Sequence, residues 1–329
     1  MKLNAFRRAA AATAFVLLIA PRIIWPQSLP PRVSIGIGAG TLGHLPLVFA
    51  REKEFFREEG LRVDLIQIKA GLNVPAILEG GLDYSGIIGI PINAALQGLK
   101  FKVLMVNSTL AMDLVVQPEI KTVQELRGKR IAVDSIGVFS HTLAEEILRR
   151  NGVNPRDVTF TAMGATPLRL AALQSKVVHA TMLGIPQNFM AEEAGFSRLV
   201  SAQDVVHLAQ SGISTLETKY QASPEVAYRL VKGALKGLLY YRANRSSSVA
   251  MLAKFLGIRN PQLADRIYQY SLNVFTEDGT IPASFQKEAI EEGKKTVKNA
   301  RADLPPEGIF NFQLAQRAKA EILSSGWRP

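Results

Sequence analysis

The sequence contains no cysteine and only four histidines among 329 residues. Without cysteine the chain can form neither a disulfide nor a cysteine-linked lipid anchor. The histidines lack the H-x-x-x-H and H-E-x-x-H spacings typical of zinc sites, so the sequence predicts no metal site. Basic residues do not cluster with interleaved aromatics, and a nucleic acid partner is therefore not expected.

Long hydrophobic runs are also absent. The apolar run at residues 9–20 has 12 residues, fewer than the roughly 20 needed to span a bilayer. It follows Lys2, Arg7 and Arg8, as the central region of a secretory signal follows its basic start. We therefore expect residues 1–28 to be a cleaved signal peptide that directs the protein to the periplasm. An N-terminal anchor that stays attached is the alternative.

Strand-like and helix-like segments alternate through the chain. From residue 32 they read β-α-β-α-β-α-β, which predicts a largely parallel sheet covered by helices. The pattern restarts near residue 118 and continues to about 210. Beyond it the chain becomes helical, beginning with Ser223 and Pro224 as a helix start. The sequence thus predicts an α/β protein of two lobes, with a ligand between them.

A glycine-rich loop follows the first predicted strand. In GIGAGTLGHLP, Gly38, Gly40 and Gly43 spell G-x-G-x-x-G, the dinucleotide fingerprint. NAD binding also requires an acidic residue at the tip of the second strand, where this chain has Lys69. NAD is therefore not expected. Two interpretations remain: backbone N–H groups hold a small anionic or polar ligand, or the glycines only form a tight turn.

Three further loops resemble this one: DSIGVFSHT at 134–142, MGATPL at 163–168 and MLGIPQN at 182–188. In the first, either Ser140 or Thr142 could cap the following helix, and Thr142 forms a capping box with Glu145. Neighbouring residues at a helix start point about 100° apart, so Ser140 and His141 cannot act as a nucleophile pair. The loops favour binding over catalysis, and no catalytic residue is predicted.

At this point the chain resembles the solute-binding proteins of ABC importers, in the branch that serves nitrate, taurine, alkanesulfonates and thiamine-precursor pyrimidines. The resemblance rests on GHLPLVFAREKEFFREEGLRVDL, ILEGGLDYSGI, TVQELRGKRIAV with the loop GVFSH, and PLRLAALQSKVVHATMLGIP, in this order. It implies a type II periplasmic binding protein fold, with two α/β lobes joined by a two-crossing hinge. Lobe one would comprise residues 32–114 plus 214–329 and lobe two residues 115–213, with VVQPE and QSGIST as the crossings.

The resemblance also implies a ligand-binding set: Gly40, Thr41, Leu42, His44, Ser85, Gly89, Val138, Ser140, His141, Thr166, Gly184 and Pro186. The chain departs from the sulfonate and nitrate binders at Gly184-Ile185-Pro186, where those often carry Trp-Asp-Pro. No lysine or arginine lies within these loops, and Arg169 follows in a helix. This departure favours a neutral or aromatic ligand over a simple anion.

The function implied is transport. The protein would capture a small organic solute, of sulfonate, pyrimidine, aromatic or carboxylate type, and deliver it to an ABC permease in the inner membrane. It would act as a monomer, without a cofactor and without catalysis. Two alternatives remain: a periplasmic enzyme on the same fold, and a ligand sensor that presents the solute to a receptor.

Overall fold

The computed structural model describes residues 29–38, 40–137 and 139–329, and residues 31–329 form one compact unit. The expected signal peptide, 1–28, lies outside the described residues. The strands are β1 Arg32–Ile37, β2 Arg62–Gln67, β3 Tyr84–Ile87, β4 Phe101–Thr109, β5 Met112–Val116, β6 Arg130–Val133, β7 Thr159–Ala162, β8 Ala180–Gly184, β9 Ser197–Ser201 and β10 Ala209–Leu216.

Within the described ranges, seven α-helices lie among strands β1 to β9, and seven more follow one another after β10. They are α1 Leu45–Glu52, α2 Phe55–Glu58, α3 Asn73–Leu78, α4 Gly89–Leu96, α5 Phe139–Arg150, α6 Thr166–Gln174, α7 Gln187–Glu193, α8 Glu217–Ala222, α9 Pro224–Ala243, α10 Arg245–Leu256, α11 Pro261–Val274, α12 Ala283–Thr296, α13 Pro306–Ile309 and α14 Gln313–Ser324. Short 3-10 helices lie at Leu42–His44, Ala70–Leu72, Val123–Leu126, Pro155–Asp157 and Ala202–Asp204.

The first sheet has the strand order β2-β1-β3-β10-β4. Strands β1, β2 and β3 pair in parallel, as the alternating pattern predicts, but β10 lies between β3 and β4 and is antiparallel to both. The prediction of a largely parallel sheet is therefore wrong at β10, because this strand returns to the sheet from the other half of the molecule. We call this sheet with its helices the first lobe.

The second sheet has the order β7-β6-β8-β5-β9. Strand β6 is parallel to β7 and β8, whereas β5 is antiparallel to β8 and β9. We call this sheet with its helices the second lobe. The chain passes from β4 to β5 through Leu110 and Ala111, and it returns through residues 205–208 to β10. The predicted boundaries, 114/115 and 213/214, fall inside β5 and β10, a few residues from these passages.

The segment PLVFAREKEFFREEG, residues 46–60, reads as one helix opened by Pro46, but it forms two helices. Helix α1 ends at Glu52 and α2 begins at Phe55, because Glu54 takes a left-handed conformation with φ of 60°. The break lets both Phe55 and Phe56 enter the core of the first lobe. There Phe56 lies against α9 at Gly233, where an added Cβ would come within 2.7 Å of the phenyl ring.

Helix α9 is the centre of the first lobe. It is 20 residues long and packs against α1, α2 and α14. Its apolar side chains join those of β1 and α1 in one core, while the second lobe has separate cores around β5 and β6. No helix in the described part of the chain is both long and apolar enough to cross a membrane.

Candidate functional site

A cavity of about 280 Å³ lies between the two lobes. The first lobe contributes the end of β3, the start of α4 and one side of α12, and the second lobe contributes the first two turns of α5. Leu110, Val206 and Leu208, from the two passages, also line it. Because both lobes and both passages form its walls, any movement of one lobe against the other would open or close this cavity.

His44 stabilises the glycine-rich loop by a hydrogen bond to the loop backbone. The backbone N–H of Gly38 donates a hydrogen bond to His44 Nε2 at 3.0 Å. His44 is buried, and this burial lowers its pKa to about 4. The ring is therefore neutral at physiological pH, with its proton on Nδ1, which has no hydrogen-bond partner among the described residues.

The third glycine of the motif fits against two strands of the first sheet. A Cβ at Gly43 would lie 2.3 Å from both Ser108 Oγ and Ser211 Oγ, so only glycine fits here. Gly40 is exposed with φ of 60°, and Leu42 is buried. The loop is thus packed onto β4 and β10, and neither these residues nor Thr41 and His44 line the cavity.

The two residues predicted near β3 have different positions, since Ser85 lies within the strand and Gly89 follows it. Ser85 is buried, and its hydroxyl accepts from the Ile87 N–H at 3.1 Å, while its one proton can go to Asn73 Oδ1 at 2.9 Å or to the Ile87 carbonyl at 2.8 Å. These bonds close the end of β3 and position the following turn. Gly89 is exposed at the first position of α4 and lines the cavity. Among the described residues predicted for the ligand site, Gly89 is the one that lines the cavity.

Helix α5 begins earlier than predicted. It starts at Phe139, so Ser140 and Thr142 lie inside its first turn and neither is the N-cap. Ser140 Oγ accepts a hydrogen bond from the Asp134 N–H at 2.9 Å, and Thr142 Oγ1 donates to the Phe139 carbonyl at 3.1 Å. These bonds fold the loop back onto the helix start. Val138 lies outside the described residues.

His141 packs away from Ser140. Its ring contacts Phe160 edge to face at 4.4 Å between centroids, and Nδ1 accepts from the Gly137 N–H at 3.3 Å. The hydrogen bonds of Ser140 and His141 thus both join a side chain to the backbone of its own loop. The geometry therefore offers no serine nucleophile activated by this histidine, in agreement with the spacing argument.

The third loop is organised around a buried arginine. Arg169 Nε donates to the Met182 carbonyl at 3.2 Å, Nη2 donates to Thr166 Oγ1 at 3.1 Å, and Nη1 donates to the Gly164 carbonyl. Burial lowers the pKa of Arg169, although the guanidinium stays charged. The side chain thus joins β8 to the loop before α6, and the Thr166 hydroxyl serves as one of its acceptors.

The fourth loop follows β8. Gly184 pairs with Met112 at the point where β5 begins, next to the passage at Ala111. Pro186 is buried and is joined to Ile185 by a cis peptide bond. Gly184 therefore lies beside the chain passage between the lobes, and neither Gly184 nor Pro186 lines the cavity.

Several cavity residues are not among those predicted for the ligand site. Phe139 and Leu143 lie on α5, Gln210 lies on β10, and Ala289 and Gly293 lie on α12. Phe139 lies inside the predicted loop, between the predicted residues Val138 and Ser140, and could have been included. Helix α12 carries no motif, and only the tertiary structure brings it to the cavity.

Polar contacts join the lobes on one side of the molecule. Tyr270 on α11 accepts a hydrogen bond from Gln203 Nε2 at 2.7 Å and donates one to Asp113 Oδ1 at 3.4 Å. Burial raises the pKa of Asp113, and bonds from Asn188 and Ser201 partly offset this effect.

Ion pairs also connect the two lobes. Arg266 on α11 pairs with Glu192 on α7 at 2.9 Å between Nη2 and Oε2. In a second pair between the lobes, Arg150 Nη2 on α5 lies 3.8 Å from Glu288 Oε1 on α12. Helices α11 and α12 of the first lobe are therefore each joined to a helix of the second lobe by an ion pair.

Comparison with known proteins places this chain in a family. The family model described as NMT1/THI5 like matches residues 41–247. The chain belongs to the NMT1/THI5-like family. The resemblance predicted from the sequence is thereby confirmed.

Relatives of the NMT1/THI5-like chain agree with its two-lobed form. An aliphatic sulfonates-binding protein of Escherichia coli strain K12 is 26% identical over 268 residues, which cover 77% of this chain and 80% of the relative. The crystal structure of the Escherichia coli periplasmic aliphatic sulphonate binding protein SsuA has a TM-score of 0.68 at 22% identity, covering 82% of this chain and 95% of SsuA. The periplasmic nitrate-binding protein NrtA of Synechocystis PCC 6803 has a TM-score of 0.69 at 12% identity, covering 89% and 90%. The predicted periplasmic binding protein fold is therefore confirmed.

Proposed function

We propose that the protein binds a small organic solute between its lobes and delivers it to the permease of an ABC importer. The observation that carries this proposal is the interlobe cavity, whose walls come from both lobes and from both chain passages. Hinged lobes that enclose a ligand are a common device of binding proteins. The family match and the sulfonate-binding relative support the same role.

The proposal includes the cellular setting and the division into lobes. The protein acts in the periplasm as a monomer, after loss of residues 1–28. For the lobes we keep the predicted bounds, residues 32–114 plus 214–329 for lobe one and residues 115–213 for lobe two, except that all of β5 belongs with the second sheet and all of β10 with the first. The aliphatic sulfonates-binding protein of Escherichia coli, SsuA and NrtA are named as binding proteins, which supports binding without catalysis.

Binding is tested by thermal unfolding of the mature protein with a panel of solutes. The panel contains nitrate, taurine, longer alkanesulfonates, aminopyrimidines and aromatic carboxylates. A ligand at about 100 times its dissociation constant adds roughly 2.7 kcal/mol to the free energy of unfolding, which raises the melting temperature visibly. Mass spectrometry then shows whether the solute returns unchanged, as transport requires. Consumption of the solute would instead establish the enzyme alternative.

Two glycine variants locate the binding. Gly89→Trp fills the cavity wall at the carboxyl end of β3, where a Cβ meets no atom within 4 Å. Gly81→Trp is the matched control, since Gly81 is exposed, precedes the amino end of β3 and does not line the cavity. We expect Gly89→Trp to lose the shift and Gly81→Trp to keep it. Equal shifts in both variants would place the solute elsewhere.

A further inference from the structure

The interlobe cavity is lined mainly by hydrocarbon. Its apolar side chains come from all parts of the wall and include Ile90, Ile92, Leu110, Phe139, Leu143 and Leu208. Phe139 is 40% exposed although it is a large apolar residue. An exposed aromatic ring at a cavity is a surface that a ligand can cover.

The described residues that line the cavity include no lysine, arginine or histidine. Two carboxylates are present, Glu146 and Glu292, and both are already paired. Glu146 Oε1 lies 2.9 Å from Arg150 Nε, and Glu292 Oε1 lies 2.5 Å from Lys295 Nζ. A small anion enclosed here would lose its hydration without gaining a cation, which is costly.

The uncommitted polar groups of the wall are neutral. Asn93 and Gln210 line the cavity, and their side-chain amides form no hydrogen bond to other described residues. The hydroxyls of Thr142 and Thr296 already donate to backbone carbonyls of their own helices. The cavity therefore offers amides to a neutral polar group and hydrocarbon to the rest.

Helix α12 forms one wall with small side chains. Ala289 and Gly293 face the cavity, and a Cβ at Gly293 would come within 2.5 Å of Leu96 Cδ1. This helix lies beyond residues 41–247, the part that the family model covers. The wall that limits the cavity on this side thus comes from outside the family-matched segment.

We propose that the solute carries an uncharged apolar body, an aliphatic chain or a single ring, which fills this cavity against α5 and α12. The inference rests on the proposed solute-binding function and specifies its substrate class. Nitrate and taurine, which have little or no apolar surface, are poor ligands.

The test is a set of homologous series measured by titration calorimetry. Linear alkyl sulfonates, carboxylates and alcohols are compared from one to eight carbons. Burial of each methylene is expected to tighten binding about fourfold, with a similar slope in every series that binds, until the cavity is full. A flat series, or tightest binding by the shortest member or by nitrate, would overturn the apolar body and leave solute binding intact. Failure of every series and of the whole solute panel would overturn both.

A substitution inside the cavity tests whether the gain in affinity per methylene arises at this site. Thr142→Phe fills the cavity from α5, and Thr218→Phe places the same ring on an exposed position of α8 as a control. We expect Thr142→Phe to remove the gain from the longer chains, at least about tenfold for the tightest ligand, while Thr218→Phe retains it. Melting temperatures without solute show whether each variant folds. An unchanged slope in a folded Thr142→Phe variant would place the apolar body elsewhere and overturn the inference.

Discussion

His44 has one ring nitrogen bonded to the glycine loop and the other buried without a partner. Burial in this position lowers its pKa to about 4, against 6.5 for the ordinary side chain. Because the buried ring resists protonation, the loop keeps the acceptor that its Gly38 N–H needs. One residue thus makes the stability of the loop depend on pH.

The sign of this dependence follows from where protons bind. As pH falls below about 6.5, His44 takes up a proton in the unfolded chain but not in the folded protein. His44 therefore makes its full contribution to the free energy of unfolding above about pH 6.5. This contribution falls as the pH is lowered to about 4 and does not change further below that pH. The loss from this residue is at most about 3 kcal/mol.

Denaturant unfolding at about pH 7 and about pH 4.5 tests this expectation. His44→Gln is the comparison, since its amide oxygen can accept from Gly38 N–H and does not titrate. The variant should lose less stability on acidification than the natural protein. Parallel curves for the two proteins would contradict the assignment of this pH dependence to His44.

At the level of elements, helix α9 determines how the first lobe is packed. Gly237 faces α1 so closely that an added Cβ would lie 2.1 Å from the Pro46 carbonyl oxygen and 2.9 Å from the Ala50 Cβ. Backbone atoms cannot move aside as a flexible side chain can. The spacing between α9 and α1 is therefore a direct consequence of this glycine.

We expect Gly237→Ala to lower the free energy of unfolding by about 1–3 kcal/mol, because the two helices must separate. This is the reverse of the gain that alanine usually brings inside a helix. Gly71→Ala is the control, since a Cβ there meets nothing within 4 Å. Chemical denaturation of both variants checks the difference, and equal stabilities would show that α1 can shift without cost.

Prediction of elements from the sequence succeeded where the pattern is local. The strand RVSIGI and the helix after Ser223 lie where their alternation and their proline signal predict. The start of α5 was misplaced, since Thr142 and Glu145 have the spacing of a capping box but lie inside the helix. The true start depends on Ser140 reaching the backbone of Asp134, which is a contact across a loop and leaves no periodic signal.

For the whole molecule, the relation between the lobes depends on helices α11 and α12. Tyr270, from the first lobe, meets Gln203 and Asp113 of the second. Aromatic and cationic contacts surround this point, with Arg198 lying 5.3 Å from the Tyr270 ring centroid. A solute enclosed between the lobes depends on such contacts, because they stabilise the arrangement that forms the cavity.

Tyr270→Phe removes the hydroxyl and keeps the ring. We expect solute affinity to fall roughly threefold to tenfold, because the enclosing arrangement is less populated without these hydrogen bonds. Calorimetric titration with the tightest solute measures the change, with Tyr220→Phe on α8 as the matched control. Unchanged affinity together with lower thermal stability would show instead that the contact is a permanent part of the fold.

The sequence by itself determined the two α/β halves, the order of most elements and the family, because these depend on local periodicity, turn residues and short motifs. It also indicated that the glycine-rich loop does not serve NAD. Only the tertiary structure decided that Gly43 packs against Ser108 and Ser211, that β10 joins the first sheet in the opposite direction, and that α12 forms a wall of the cavity. These features arise from contacts between residues far apart in the chain, and such contacts leave no pattern in neighbouring positions.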